Sequence, residues 1–148
     1  MTWKSHTSVT AAITYAATLN PAFAGLAAMG SVLPDKVEFL CPWLKHRGNS
    51  HSLLIWTGLC GTMWLTGELE PNLRLLFPIA IGGLCHVLED MLSASGVPLY
   101  PSINPKKKSN TIKFPLYKTG QISEYAVASA LIIAAITTMW LRGGIPNA

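Results

Sequence analysis

The chain has 148 residues, of which 50% are hydrophobic and 12% charged, against the roughly 25% Asp, Glu, Lys and Arg of a soluble domain. With a mean hydropathy of +0.36 it lacks the polar surface to cover itself in water, which excludes a disordered segment, a coiled coil and most small cytosolic enzymes and makes lipid the expected solvent. The net charge of +4 suits an anionic membrane face, whereas basic residues interleaved with stacking aromatics are absent, so no nucleic-acid partner is expected.

The first long apolar stretch, Ser8 to Leu33, is broken by Asn20-Pro21. Proline inside a helix removes a hydrogen bond and clashes with the preceding turn, so the stretch reads as two short helices folded back on each other. Lys4 ahead of it and Ala22-Phe23-Ala24 within it have the form of a secretory signal, but the apolar run continues to Leu33 and cleavage would discard His6, so a retained hairpin is preferred. Leu53–Gly67 and Leu73–Leu88, separated by Glu68-Leu69-Glu70-Pro71-Asn72, form a second hairpin.

Residues 97–120 change character to a basic loop carrying Pro98, Pro101, Pro105, Lys106-Lys107-Lys108 and Pro115. Ser123-Glu124, an N-cap residue type followed by an acid, then opens a last apolar helix, Tyr125 to Leu141. The expected fold is all-α: one membrane-embedded bundle of about five helices over residues 1–148, two hairpins plus a C-terminal helix. Cys41, Cys60 and Cys85 form no CxxC and cannot all pair with one another, which argues against a disulfide framework.

The polar residues fall at helix ends. The midpoint between His6 and Asp35 is the Asn20-Pro21 fold, which returns both to one end. His51 lies nineteen residues before Glu70 and His86 sixteen after, a difference of about one helical turn, so the second hairpin sets them at similar height. Asp90 follows His86 by four residues and shares its helix face. One pole therefore collects His6, Asp35, His46, His51, His86, Asp90 and Glu124.

Mixed imidazole and carboxylate is the ligand chemistry of Zn²⁺, Mn²⁺ and related divalent ions, and an HxxxD pair on one helix offers two ligands together. Helix capping is the competing explanation, strongest for His6 and Glu124. Arg47, between two candidate ligands, has the planar fork that suits a phosphate, or equally a lipid headgroup. Lys106-Lys107-Lys108 reads as a membrane-surface contact before a substrate clamp. Trp3, Trp43 and Trp56 read as an interfacial belt, and Cys85 as packing. Nine of the eleven Lys and Arg (Lys4, Lys36, Lys45, Arg47, Lys106, Lys107, Lys108, Lys113, Lys118) fall at the histidine pole, against Arg74 and Arg142 at the other. The positive-inside tendency turns that pole to the cytoplasm.

His46-Arg47-Gly48-Asn49-Ser50-His51-Ser52 resembles the HRGxTHS signature of the YdjM-like, inner-membrane-associated metal-dependent hydrolase family. Leu33-Pro34-Asp35 resembles its LPDID segment, and His86-Val87-Leu88-Glu89-Asp90-Met91-Leu92 with Gly96-Val97-Pro98-Leu99 its HxxxDxLTxxGVxL segment. His6 matches a histidine near that family's N-terminus, and Thr119-Gly120 with Glu124 is similar to an element before its last helix. Ser50 replaces the usual Thr, and Val37 stands where the family has a second acid.

The resemblance, over roughly residues 4 to 125, implies a multi-pass protein of the bacterial inner membrane. It also implies an all-α fold distantly similar to zinc-dependent phospholipase C and P1 nuclease, and water activated by a divalent metal, Zn before Mn, to cleave a phosphoester. His51, His86 and Asp90 are then the expected first metal ligands, with His6, Asp35 and His46 completing a second position or surrounding the first. Glu124 is expected to orient or deprotonate the water, and Arg47 to clamp phosphate. Membrane lipids and a phosphoester or lipid-linked substrate are the expected partners. The alternatives are a metal-stabilised protein without catalysis and a membrane interaction or regulatory subunit without metal.

Overall fold

The structure, a computed structural model, describes residues 1–41, 47–102 and 110–143. It contains α1 (Trp3–Thr18), α2 (Pro21–Gly30), α3 (Leu33–Leu40), α4 (Leu53–Leu69), α5 (Leu76–Met91) and α6 (Ile122–Leu141). The 3₁₀ turns Asn49–His51 and Pro71–Leu75 precede α4 and α5, and two-residue strands β1 (Val97–Pro98) and β2 (Thr111–Ile112) pair antiparallel. The five helices expected from the apolar pattern are all present. Eight-residue α3, which the pattern did not announce, is added to them.

The first hairpin closes where the sequence breaks. Leu19 adopts φ 52° and its N–H bonds the Tyr15 carbonyl at 2.7 Å, ending α1. Asn20 then caps α2 by accepting from the backbone N–H of Ala22 and Phe23 at 3.0 and 3.1 Å, with Pro21 in the first turn where its missing N–H costs nothing. At the other end α1 starts earlier than the apolar run does, because Thr2 caps it, and this winds His6 into the helix.

Helix α5 lies between α2 and α4, and α1 joins α2 to α6. Glycine permits the closest of these approaches: a Cβ at Gly82 would collide with the Ala27 carbonyl of α2, and one at Gly83 with the Trp56 ring of α4. Trp56 is therefore a core residue with Val87 and Val97, not part of an interfacial belt, and its Nε1 donates to the Ser50 carbonyl at 2.7 Å. A second apolar cluster joins Met1 and Val9 to Tyr117 and Ala128.

Past α5 the chain turns at Gly96, whose φ of 68° is accessible to glycine without strain, and residues 114–117 return across its C-terminal end. Phe114 N bonds Met91 O at 2.8 Å and Leu116 N bonds Leu92 O at 2.9 Å. That return brings Tyr117 and the start of α6 to the histidine pole. Lys106, Lys107 and Lys108 lie outside the described residues, as do Trp43, Lys45 and His46. Among the described residues two segments, Pro71–Met91 and Ile122–Leu141, are long and apolar enough to cross a bilayer, and outward-facing Ile122, Ile133 and Trp140 of α6 are exposed.

Candidate metal centre

Four elements deliver one side chain each, or two, to a buried cluster. The 3₁₀ turn before α4 supplies His51, α5 supplies His86 and Asp90 one helical turn apart, α3 supplies Asp35 and α1 supplies His6. His6, His51, His86 and Asp90 are each at most 1% exposed, while the Asp35 side chain, at 18%, forms the edge that solvent reaches.

The Nδ1 hydrogens fix the tautomers. His86 Nδ1 lies 2.6 Å from the Ser31 carbonyl, which can only accept, so Nδ1 carries the hydrogen and Nε2 of the neutral ring is a bare lone pair. His51 Nδ1 meets the Glu38 carboxylate at 2.9 Å and His6 Nδ1 meets Glu89 at 2.6 Å, with the same consequence. All three rings are turned by an outer acceptor so that Nε2 faces inward, the arrangement that orients histidines around metals.

The inward atoms converge. His51 Nε2 and His86 Nε2 are 3.1 Å apart. Asp35 Oδ1 is 3.3 Å from the first and 3.6 Å from the second, and Asp90 Oδ2 is 3.7 and 3.8 Å from them. A tetrahedral ion with ligands at about 2.0–2.1 Å requires ligand atoms roughly 3.3 Å from one another; Asp35, His51 and His86 form one convergent group of that kind, and Asp90 joins His86 and His6 in a second that shares the His86 ring. Neutral rings and ionised carboxylates offer only lone pairs to the space between them, and such a cluster repels itself unless a proton or a cation sits there.

Electrostatics outside the spans agree. Burial alone would lower the His51 pKa, but the Asp35 and Glu38 carboxylates outweigh it and raise it to about 9. Burial likewise opposes ionisation of Asp35, yet the contact with His51, the His86 ring and the Trp3 N–H hold its carboxyl below the usual carboxylate range. Burial and the neighbouring Asp90 push the Tyr117 phenol well above its ordinary value, so it stays a donor.

Asp90 divides its two oxygens. Oδ2 faces His51 and His86, while Oδ1 accepts from the Met1 amine at 2.6 Å, Arg47 Nη2 at 3.1 Å and the Tyr117 hydroxyl at 3.3 Å. His6 Nε2 stands 3.4 Å from the same Oδ1, its ring stacked on His86 with centroids 3.7 Å apart, and it is a buried nitrogen with no hydrogen-bond partner among the described residues.

Arg47 and Glu124 are placed differently from the other expected site residues. Arg47, in the left-handed region at φ 54°, straps the pole by donating to Asp90, to Ser93 Oγ at 2.6 Å and to Thr119 Oγ1 at 3.3 Å. Glu124 accepts from Thr2 N at 2.6 Å, Ser5 Oγ at 2.8 Å and Gly120 N at 2.7 Å, clamping α6 to the start of α1. Neither belongs to the two groups whose ligand atoms converge among the described residues, His6-His86-Asp90 and Asp35-His51-His86.

Two acids were not anticipated. Glu38 accepts from Arg47 N at 2.7 Å, Ser50 Oγ and His51 Nδ1, so the acid absent at Val37 is present one residue later. Its signal was in the sequence, because Glu38 lies three residues after Asp35 on the same face of α3. Glu89, which holds His6 and accepts from Thr10 Oγ1 at 3.0 Å, adjoins the recognised Asp90.

Fold and site together define a helical membrane protein whose buried imidazole–carboxylate cluster occupies one pole of the bundle. The chain belongs to the YdjM inner membrane protein family, whose model matches residues 1–144. No curated protein and no solved structure matches it.

Proposed function

We propose that the protein is a membrane-bound, metal-dependent hydrolase in which Asp35, His51, His86 and Asp90 hold one divalent ion, zinc before manganese, and that it cleaves a phosphoester of a lipid or lipid-linked substrate. The supporting observation is that the Nε2 atoms of His51 and His86, each ring steered by an outer acceptor, lie 3.1 Å apart with one oxygen of Asp35 and one of Asp90 within 3.8 Å of both. A bound divalent ion supplies Lewis acidity and the lowered pKa of coordinated water on which hydrolysis at neutral pH depends.

The residues around that ion have separable tasks. Glu38 and the Ser31 carbonyl fix the two ring orientations, Trp3 holds Asp35 Oδ2, and Arg47 restrains Asp90. Asp35, on the exposed edge, marks where water and a headgroup enter. His6, held by Glu89 through Nδ1 and stacked on His86, stands with Nε2 3.4 Å from Asp90 Oδ1 as an outer group or as a ligand to a second position. Glu124 anchors helices, and Arg47 meets substrate phosphate only by exchanging one of its present partners. The basic residues of this pole support a cytoplasmic orientation facing anionic headgroups.

A second reading has a specific observation behind it. If Asp90 joins Asp35, His51 and His86 on one ion, four protein ligands close a tetrahedron, as in structural zinc sites, whereas catalytic sites keep a position open. The readings separate when detergent-purified protein, wild type and with His86→Ala or Asp90→Ala, is assayed for phosphodiesterase activity and thermal stability. The hydrolase reading expects metal-dependent turnover in wild type and none in either variant. Loss of stability in the variants with no turnover by wild type on any phospholipid would leave a structural metal.

A further inference from the structure

At the pole opposite the histidines, between the two hairpin turns, lies a cavity of about 370 Å³, within the size range of small-molecule sites. Its walls include Phe23 and Leu26 of α2, Trp64 of α4 and Phe77 of α5. Phe77 is edge-on to both other rings, with centroids 5.2 Å from Trp64 and 6.2 Å from Phe23. Two opposite charges line the same space, Glu68 from the end of α4 and Arg74 from the turn before α5.

Those charges are not spent on each other. Arg74 directs Nε to the Gly67 carbonyl at 3.1 Å, and among the described residues no ion pair joins it to Glu68. An apolar slot with one cation and one anion at its rim matches a molecule that is itself an apolar chain carrying both charges. The cavity also sits where the apolar segment Pro71–Met91 begins, the level at which a bilayer presents headgroups.

We propose that this cavity binds a phospholipid whose headgroup carries a phosphate and a primary ammonium. The acyl chain lies against Phe23, Trp64 and Phe77, Arg74 pairs with the phosphate, and Glu68 accepts from the ammonium. A quaternary ammonium has no N–H to give Glu68, and a glycerol headgroup has no cation. The site is remote from the metal centre and independent of the hydrolase reading.

The test is native mass spectrometry of the detergent-purified full chain, titrated in parallel with phosphatidylethanolamine, phosphatidylcholine and phosphatidylglycerol of matched acyl chains. The expected result is a single tightly held phosphatidylethanolamine, preferred over either other lipid by about fivefold, as one partly exposed charge contact allows. Glu68→Gln, an exposed and conservative change, removes the preference over phosphatidylcholine. Arg74→Gln weakens binding of all three lipids, and Glu70→Gln, outside the cavity, changes nothing. Equal retention of the three lipids, or an unchanged preference in folded Glu68→Gln protein, would overturn the proposal, since annular lipid needs neither charge.

Discussion

Glu38 never touches the proposed ion, yet it decides which nitrogen of His51 carries the hydrogen. Replacing it by Gln leaves a neutral partner of the same shape that holds the ring less firmly and raises its basicity less. Zinc affinity should fall by about 10- to 100-fold, read by competition with a chromophoric chelator, while helix content stays constant. Unchanged affinity would mean that Glu38 does not tune His51 as a ligand. Trp3 acts similarly on Asp35, donating Nε1–H to Oδ2 at 2.7 Å while Lys36 Nζ sits 4.5 Å above its ring.

The same ring gives the metal-free protein a pH dependence. The fold raises the His51 pKa from about 6.5 to about 9, so it favours the protonated form. That stabilisation is complete below the unfolded value and is lost as pH rises through the folded one. Thermal midpoints of metal-free wild type should therefore decline between about pH 6.5 and 9, and His51→Gln should remove that component. A wild-type midpoint insensitive to pH over this range would show that no such proton is held.

Among the helices, the α2–α5 contact couples packing to the site. Ser31 follows the last turn of α2, and its carbonyl orients His86. Gly82 allows α5 to approach Ala27 so closely that a Cβ has no room. Gly82→Ala should cost about 1–3 kcal/mol of stability by overpacking and also weaken metal binding, because α2 must withdraw from His86. Equal stability with intact affinity would show that the helices are free to separate at this point.

At this scale the sequence was most legible. The break at Asn20-Pro21 and the charged turn at Glu68 to Asn72 announced both hairpins, since each interrupts an apolar run with residues that cap or cannot continue a helix. Helix α3 was hidden because Leu33–Leu40 mixes apolar and charged residues over only two turns. Trp56 was misread as interfacial because a tryptophan near a helix start looks the same whether a glycine on another helix makes room for its ring or lipid does. Gly83 is such a glycine, and no local pattern links it to Trp56.

For the molecule as a whole, two hairpins folded in the same sense and a returning segment bring His6, Asp35, His51, His86, Asp90 and Glu124 to one end, which residue counting from the turns could foresee; His46, expected with them, lies outside the described residues. The outer groups could not be foreseen. Glu38, Glu89 and the Ser31 carbonyl follow from how helices face one another, information that spacing along one chain does not hold. If that end faces the cytoplasm, Lys113→Cys in inverted inner-membrane vesicles should react with an impermeant maleimide, and in right-side-out vesicles it should not. The opposite labelling pattern would reverse the orientation.

Everything proposed for this pole requires that the shared cluster hold a divalent ion. Elemental analysis of protein purified without added metal, with X-ray absorption at the edge of whatever ion is found, addresses it directly. The expected result is about one ion per chain, with two imidazoles and otherwise oxygen ligands at about 2.0–2.1 Å, and loss of that ion in His86→Ala. A metal-free protein that stays folded and takes up no zinc, manganese or other divalent ion on titration would contradict it.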